Sequence, residues 1–134
     1  MIDYIGSPAA GAYQPGACNI GPAEIRRRRQ IGYLGLFAAV ALGLVLLAIH
    51  APAWAWLAVA IPAAGSLSGF IQARLRFCAG FGMAGLQNMG ELGDESQVAD
   101  AAARSADRRR ALLIHGASLL GGLAIGMGLA LLAA

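Results

Sequence analysis

The sequence predicts an all-α integral membrane protein with three transmembrane helices, the first two forming an antiparallel hairpin and the third preceded by a helical cytoplasmic loop. Two observations carry this. Three apolar runs, 31–49, 54–73 and 111–133, contain no Asp, Glu, Lys or Arg, and each is about long enough for a helix rising ~1.5 Å per residue to cross a hydrocarbon core of ~30 Å. All 10 basic residues are arginines. They gather at Arg26, Arg27, Arg28 and Arg29, at Arg74 and Arg76, and at Arg104, Arg108, Arg109 and Arg110, beside the ends of those runs. Three crossings place every charged side chain on one side, and the positive-inside rule makes that side the cytoplasm. The expected location is the plasma membrane, multi-pass, with the amino terminus inside and the carboxyl terminus outside.

Residues 1–21 are rich in Gly, Pro and Ala, with Tyr4 and Tyr13 as aromatic anchors, and read as an irregular cytoplasmic segment that needs a partner surface to fold. Residues 22–134 form a single membrane domain, with 74–110 as the cytoplasmic loop. Pro22 suits a first helical position, with Gly21 before it and Glu24 in the positive first turn, so the first helix is expected from Pro22 to Ile49. His50, Ala51, Pro52 and Ala53 are the only connection on the far side, and so short a link makes the first two helices antiparallel neighbours. His50 reads as a solvated interfacial residue, and Trp54 and Trp56 as part of the interfacial aromatic belt.

Pro62 interrupts the second span and should bend it, with Ser66 helping to satisfy the freed backbone groups. Each span also carries a stripe of small residues at helical spacing. Gly32, Gly35, Ala39 and Gly43 lie on the first, Gly65 and Gly69 on the second, and Ser118, Gly122, Gly126 and Ala130 on the third. Lipid tails are as apolar as leucine, so helix association in a bilayer rests on close packing of such residues. Gly35, Gly43, Gly65, Gly69, Gly122 and Gly126 are therefore the expected contact points of one tight bundle.

Residues 79–93 are too apolar for a solvated loop and too glycine-rich for a firm helix, and belong in the interface or under the bundle. From Asp94 the composition turns helical, with Asp94 as cap, Gln97 three residues on, and an Asp100–Arg104 pair one turn apart. Gly80 to Gly85 matches the glycine spacing of a dinucleotide loop, but no strand precedes it and no βαβ unit fits.

The chemistry-bearing residues are few. Cys18 and Cys78 fall on the cytoplasmic side near neighbouring helix ends, with arginines nearby that favour thiolates. His115, about one turn inside the third span, is placed on the face of Ser118 and Gly122, pointing inward. Cys18, Cys78 and His115 are the candidate metal set, and haem is the other cofactor considered for His115, with a methionine such as Met83 or Met89 as second ligand. No hydrolytic triad, phosphate loop or paired carboxylates occur, so no enzymatic activity is expected. The arginines lack interleaved aromatic residues, which argues against nucleic acid; anionic lipid headgroups are the expected partners of Arg26 to Arg29, Arg74, Arg76 and Arg108 to Arg110. The expected function is association through helices, as an accessory subunit of a larger membrane complex or a homo-oligomer. The alternatives are a membrane redox or metal protein using Cys18, Cys78 and His115, and an oligomeric channel or small transporter.

Overall fold

The computed structural model describes residues 12–134; the expectation for Tyr4 lies outside them. The chain is mostly helical, with α1 over Pro22–Ala48, α2 over Ala60–Leu75, a short α3 over Ala79–Ala84, and α4 over Ala101–Ala133. Strands β1 (Leu86–Gln87) and β2 (Ser96–Gln97) pair antiparallel, Leu86 opposite Gln97. Three helical stretches, of 27, 23 and 33 residues, are long and apolar enough to cross a membrane. The 23-residue one, Ala53–Leu75, joins a 3-10 segment (Ala53–Val59) to α2.

The hairpin turn is made by His50, which takes a left-handed backbone (φ 50) after α1. Its amide donates to Leu47 O and that of Ala51 to Leu46 O, the paired bonds that close a helix end through a left-handed residue. His50 is exposed, as expected of an interfacial side chain. The two tryptophans divide: Trp54 is exposed, whereas Trp56 is half-buried and meets Gly43.

Pro62 lies in the first turn of α2, not in a helix interior as the sequence suggested. Its missing N–H falls where the 3-10 winding gives way to α-helix, so no regular i to i−4 bond is broken there. Ser66 is correspondingly free of that duty, and its hydroxyl donates instead to Gly32 O on α1, at 2.8 Å.

The spans form a row rather than the expected tight bundle. α2 packs on α1 along one face and on α4 along another, while α1 and α4 scarcely touch each other. On the α1 side, an added Cβ at Gly35 would lie 2.6 Å from Ser66 N, and one at Gly69 would collide with the backbone of Gly32. Tyr33 stacks edge-on against Phe70 beside this contact, ring centroids 5.0 Å apart. On the α4 side, an added Cβ at Gly122 would come within 2.6 Å of Ala64 Cβ, and one at Gly126 within 2.8 Å of Ala60 Cβ. Gly35, Gly69, Gly122 and Gly126 are thus the packing residues expected. An added Cβ at Gly43 would reach only the Trp56 ring, at 3.8 Å, and one at Gly65 would meet nothing within 4 Å. Gly65 points between the two occupied faces of α2, so its expected packing role is corrected.

A cap covers the arginine end. α4 starts at Ala101 rather than near Asp94, with the Asp100 side chain accepting from Ala103 N at 2.9 Å. The earlier start is ruled out because Ser96 and Gln97 are drawn out as β2, and Gly93, at φ 94, turns the chain. Arg104 donates to Val98 O and Ala99 O, so the pair it was expected to form with Asp100 is replaced by backbone contacts. α3 packs on the amino-terminal part of α4, and Phe77, Ala79, Ala111 and Ile114 form a small apolar core there. Residues 79–84 of the glycine-spaced segment are helical, in keeping with the rejection of a dinucleotide loop.

Candidate functional site

Residues 12–20, expected to be irregular until a partner ordered them, are ordered by the chain itself. Asn19 and Ile20 are buried and run beside Asn88: Asn88 N donates to Asn19 O and Gly21 N to Asn88 O. The Asn19 side chain clasps the backbone of Cys78 from both sides, accepting from its N at 2.6 Å and donating to its O at 3.0 Å. Upstream, Tyr13 donates to Asp107 Oδ2 at 2.6 Å and Gly16 N to Asp107 Oδ1 at 2.7 Å. Burial, together with the hydrogen bond and negative charge of Asp107, holds the Tyr13 phenol well above the ordinary tyrosine range.

Within this cap lies a buried ionic cluster. Glu24 is fully buried and accepts from Asn88 Nδ2 at 3.3 Å. Arg28, one turn along α1, lies 3.4 Å from Glu24 Oε2 with its side chain only 14% exposed. The contact is ionic rather than a well-aligned hydrogen bond, since Glu24 Oε2 and Arg28 Nε both lack hydrogen-bond partners. Arg28 also donates through Nη2 to Cys78 Sγ at 2.9 Å and lies over the Phe81 ring. Arg28 is therefore an internal residue of the cap and not the headgroup contact expected of it.

The two cysteines are brought to the same end, both free and buried. Their sulfurs have separate partners: Cys18 Sγ donates to Ile20 O at 3.6 Å, while Cys78 Sγ takes the Arg28 guanidinium and the Phe81 amide. His115 does not join them. It is exposed, because Ile114, Ser118, Gly122 and Gly126 form the buried face of α4 and the next residue along is turned by ~100°. Its expected inward orientation is thereby corrected. Met83, offered as a haem ligand with it, is exposed on α3. Among the described residues, no group of three or more His, Cys, Asp or Glu side chains is placed to hold a metal ion.

Two of the open clefts bear on the site. One, of about 410 Å³, lies at the arginine end between the start of α1 and the end of α2, with Arg26, Arg29 and Arg76 on its walls. The other, of about 480 Å³, runs between α1 and α4 over the Ala63 and Ser66 side of α2 and is lined almost wholly by apolar atoms, among them those of Ala39, Val40, Gly43, Phe70 and Ile125. Sequence reasoning missed Asn19, Asn88 and Asp107 as buried anchors; the one available signal was the Glu24–Arg28 spacing of four, which marks a helical ion pair. The chain matches no family model, no curated protein and no solved structure.

Proposed function

We propose that the chain is a non-enzymatic multi-pass protein of the plasma membrane, amino terminus in the cytoplasm and carboxyl terminus outside, that works by binding an apolar helix of another membrane subunit. That subunit is either a second copy or a component of a larger complex. The observation that carries this reading is the open apolar cleft between α1 and α4. Both helices are held by α2 and neither closes on the other, so a groove is left along the row. Its floor has the small residues Ala39, Gly43 and Ala63, which let a helix approach closely where packing, not the hydrophobic effect, drives association. The one hydroxyl on its lining, that of Ser66, is already bonded to Gly32 O, so the groove suits an apolar occupant.

The orientation rests on the arginines: all of them precede α1's apolar run or flank the cap, and cytoplasmic loops carry such an excess. The alternative, thiol or metal chemistry at Cys18, Cys78 and His115, is favoured by one observation, the Arg28–Cys78 contact. It gains nothing from His115, which faces outward.

The test fills the groove without touching the α1–α2 contact. Val40 lines the groove and is 55% exposed, whereas Leu34 is exposed elsewhere on α1. Val40→Trp is expected to weaken association in a bilayer by about tenfold or more, the ~1.4 kcal/mol equivalent of losing one packed contact, with Leu34→Trp near wild type. Energy transfer between labelled copies reads self-association, and co-isolation with a defined partner subunit reads the complex. Equal effects from the two substitutions would sink the groove as the contact.

A further inference from the structure

We propose that the cleft between the start of α1 and the end of α2 is a binding site for a phosphate group carrying an apolar substituent, as in an anionic phospholipid headgroup. Three arginines line it from two elements: Arg26 and Arg29, three residues apart on α1, and Arg76 after the last turn of α2. Among the described residues, no acidic one lines the cleft. Glu24, the acid on that turn of α1, is turned away into the cap, where it is fully buried against Asn88 and Arg28. Among the described residues the only ion pair is Arg28 with Glu24, so none of the three cleft arginines is paired with a described carboxylate. Like charges gathered around one concavity repel each other, and a bound anion reverses that sign. Guanidinium groups match phosphate oxygens with paired N–H donors, and the amino end of α1 adds its positive dipole at the rim.

The rest of the lining selects among anions. Ile20 and Ile25 give the cleft an apolar side next to the arginines. A phosphodiester with an alkyl or glyceryl substituent satisfies both, whereas a bare anion uses only the guanidinium groups. The structure thereby separates the arginines that the sequence grouped together: Arg28 is internal, Arg26, Arg29 and Arg76 form a site, and Arg109 is simply exposed. The phosphate chemistry follows from the cleft alone, while a lipid as its source rests on the membrane reading above.

Arg76 supplies a test that separates binding from folding. It sits in a left-handed backbone (φ 54) at the end of α2, with the Arg76 and Phe77 amides donating to Ala73 O and Gln72 O. Glycine is the residue that this position favours, and the other tie to Arg76, from Asn19 N, is to its backbone carbonyl. Arg76→Gly is expected to leave the melting temperature unchanged or raised while removing one wall of the site. The full chain would be reconstituted in nanodiscs of phosphatidylcholine with a minor share of phosphatidylglycerol, and the lipid retained on release would be counted by native mass spectrometry. Wild type is expected to retain phosphatidylglycerol preferentially, Arg76→Gly and Arg26→Gln/Arg29→Gln to lose about tenfold of that preference, and Arg109→Gln to keep it.

A parallel arm titrates inorganic phosphate against chloride of equal ionic strength on detergent-solubilised protein, following thermal unfolding. Stabilisation there that Arg76→Gly abolishes assigns the site to soluble phosphate groups. Retention of phosphatidylglycerol without it assigns the site to lipid. No preference in either arm, or equal losses from Arg76→Gly and Arg109→Gln, would overturn the proposal and leave only diffuse attraction of a basic face. The phosphate arm needs no bilayer, so its outcome is separate from that of the membrane reading.

Discussion

Glu24→Ala is expected to destabilise the protein by about 3–5 kcal/mol, because it leaves the Arg28 guanidinium buried without its countercharge. Arg28 is 14% exposed and has one carboxylate beside it. Losing that carboxylate also frees Asn88 Nδ2, which then retains only Glu91 O. Arg28→Ala is expected to have a similar effect, since it strands Glu24 and removes the donor to Cys78 Sγ. The double variant Glu24→Met/Arg28→Met should lose less than the sum of the two, because replacing both members of a buried pair with apolar groups avoids the stranded charge. Equilibrium unfolding in detergent measures all of these. Single-variant losses below about 1 kcal/mol would mean that water reaches the pair and that the cap is not closed over it.

The second large effect is steric. Gly69→Leu is expected to cost about 3 kcal/mol or to part α1 from α2, because even its Cβ would collide with the Gly32 backbone and lie 2.7 Å from Arg28 O. Backbone cannot yield as a flexible side chain does. Four residues earlier on the same helix, Gly65 has open space, and Gly65→Leu is expected to be neutral or to stabilise by up to ~1 kcal/mol through helix propensity. The same unfolding measurement decides, and equal losses at both positions would contradict the row of helices centred on α2.

Those two glycines show how much of the fold was legible in the sequence. Hydropathy and length located the three long apolar stretches to within a few residues, because burial of uncharged runs is a local property. The small-residue stripes marked Gly35, Gly69, Gly122 and Gly126 correctly, since close approach requires small residues wherever helices touch. Which face of a helix touches which neighbour is not local, and there Gly65 and His115 failed. Each lies one helical step from a packed position, and one step turns a side chain by ~100°. The start of α4 failed for a different reason: helical composition at 94–100 was overridden by pairing of Ser96 and Gln97 with Leu86 and Gln87 of β1.

The cap was the least legible part. Its contacts join residues far apart in sequence, Tyr13 to Asp107 and Asn19 to Cys78, and no spacing rule connects them. Arg28 was hidden inside a run of four arginines whose other members face outward or onto a cleft. Only its partner Glu24, four residues before it, distinguished it. The residues 12–20 looked unstructured because Pro15 and Gly16 speak against helix, while the burial of Asn19 and Ile20 depends on Asn88 and Arg76 elsewhere in the chain.

Three crossings with every arginine on the cytoplasmic side is the arrangement from which the groove and the phosphate cleft both take their proposed roles, and sidedness tests it directly. Reporters that are active in only one compartment would be placed at Ala134 and, in a separate fusion, at the exposed Glu95 of the loop before α4. The loop reporter is expected inside and the Ala134 reporter outside. Finding both in the same compartment would contradict the arrangement, since α4, the one long apolar helix between the two reporters, would then fail to cross.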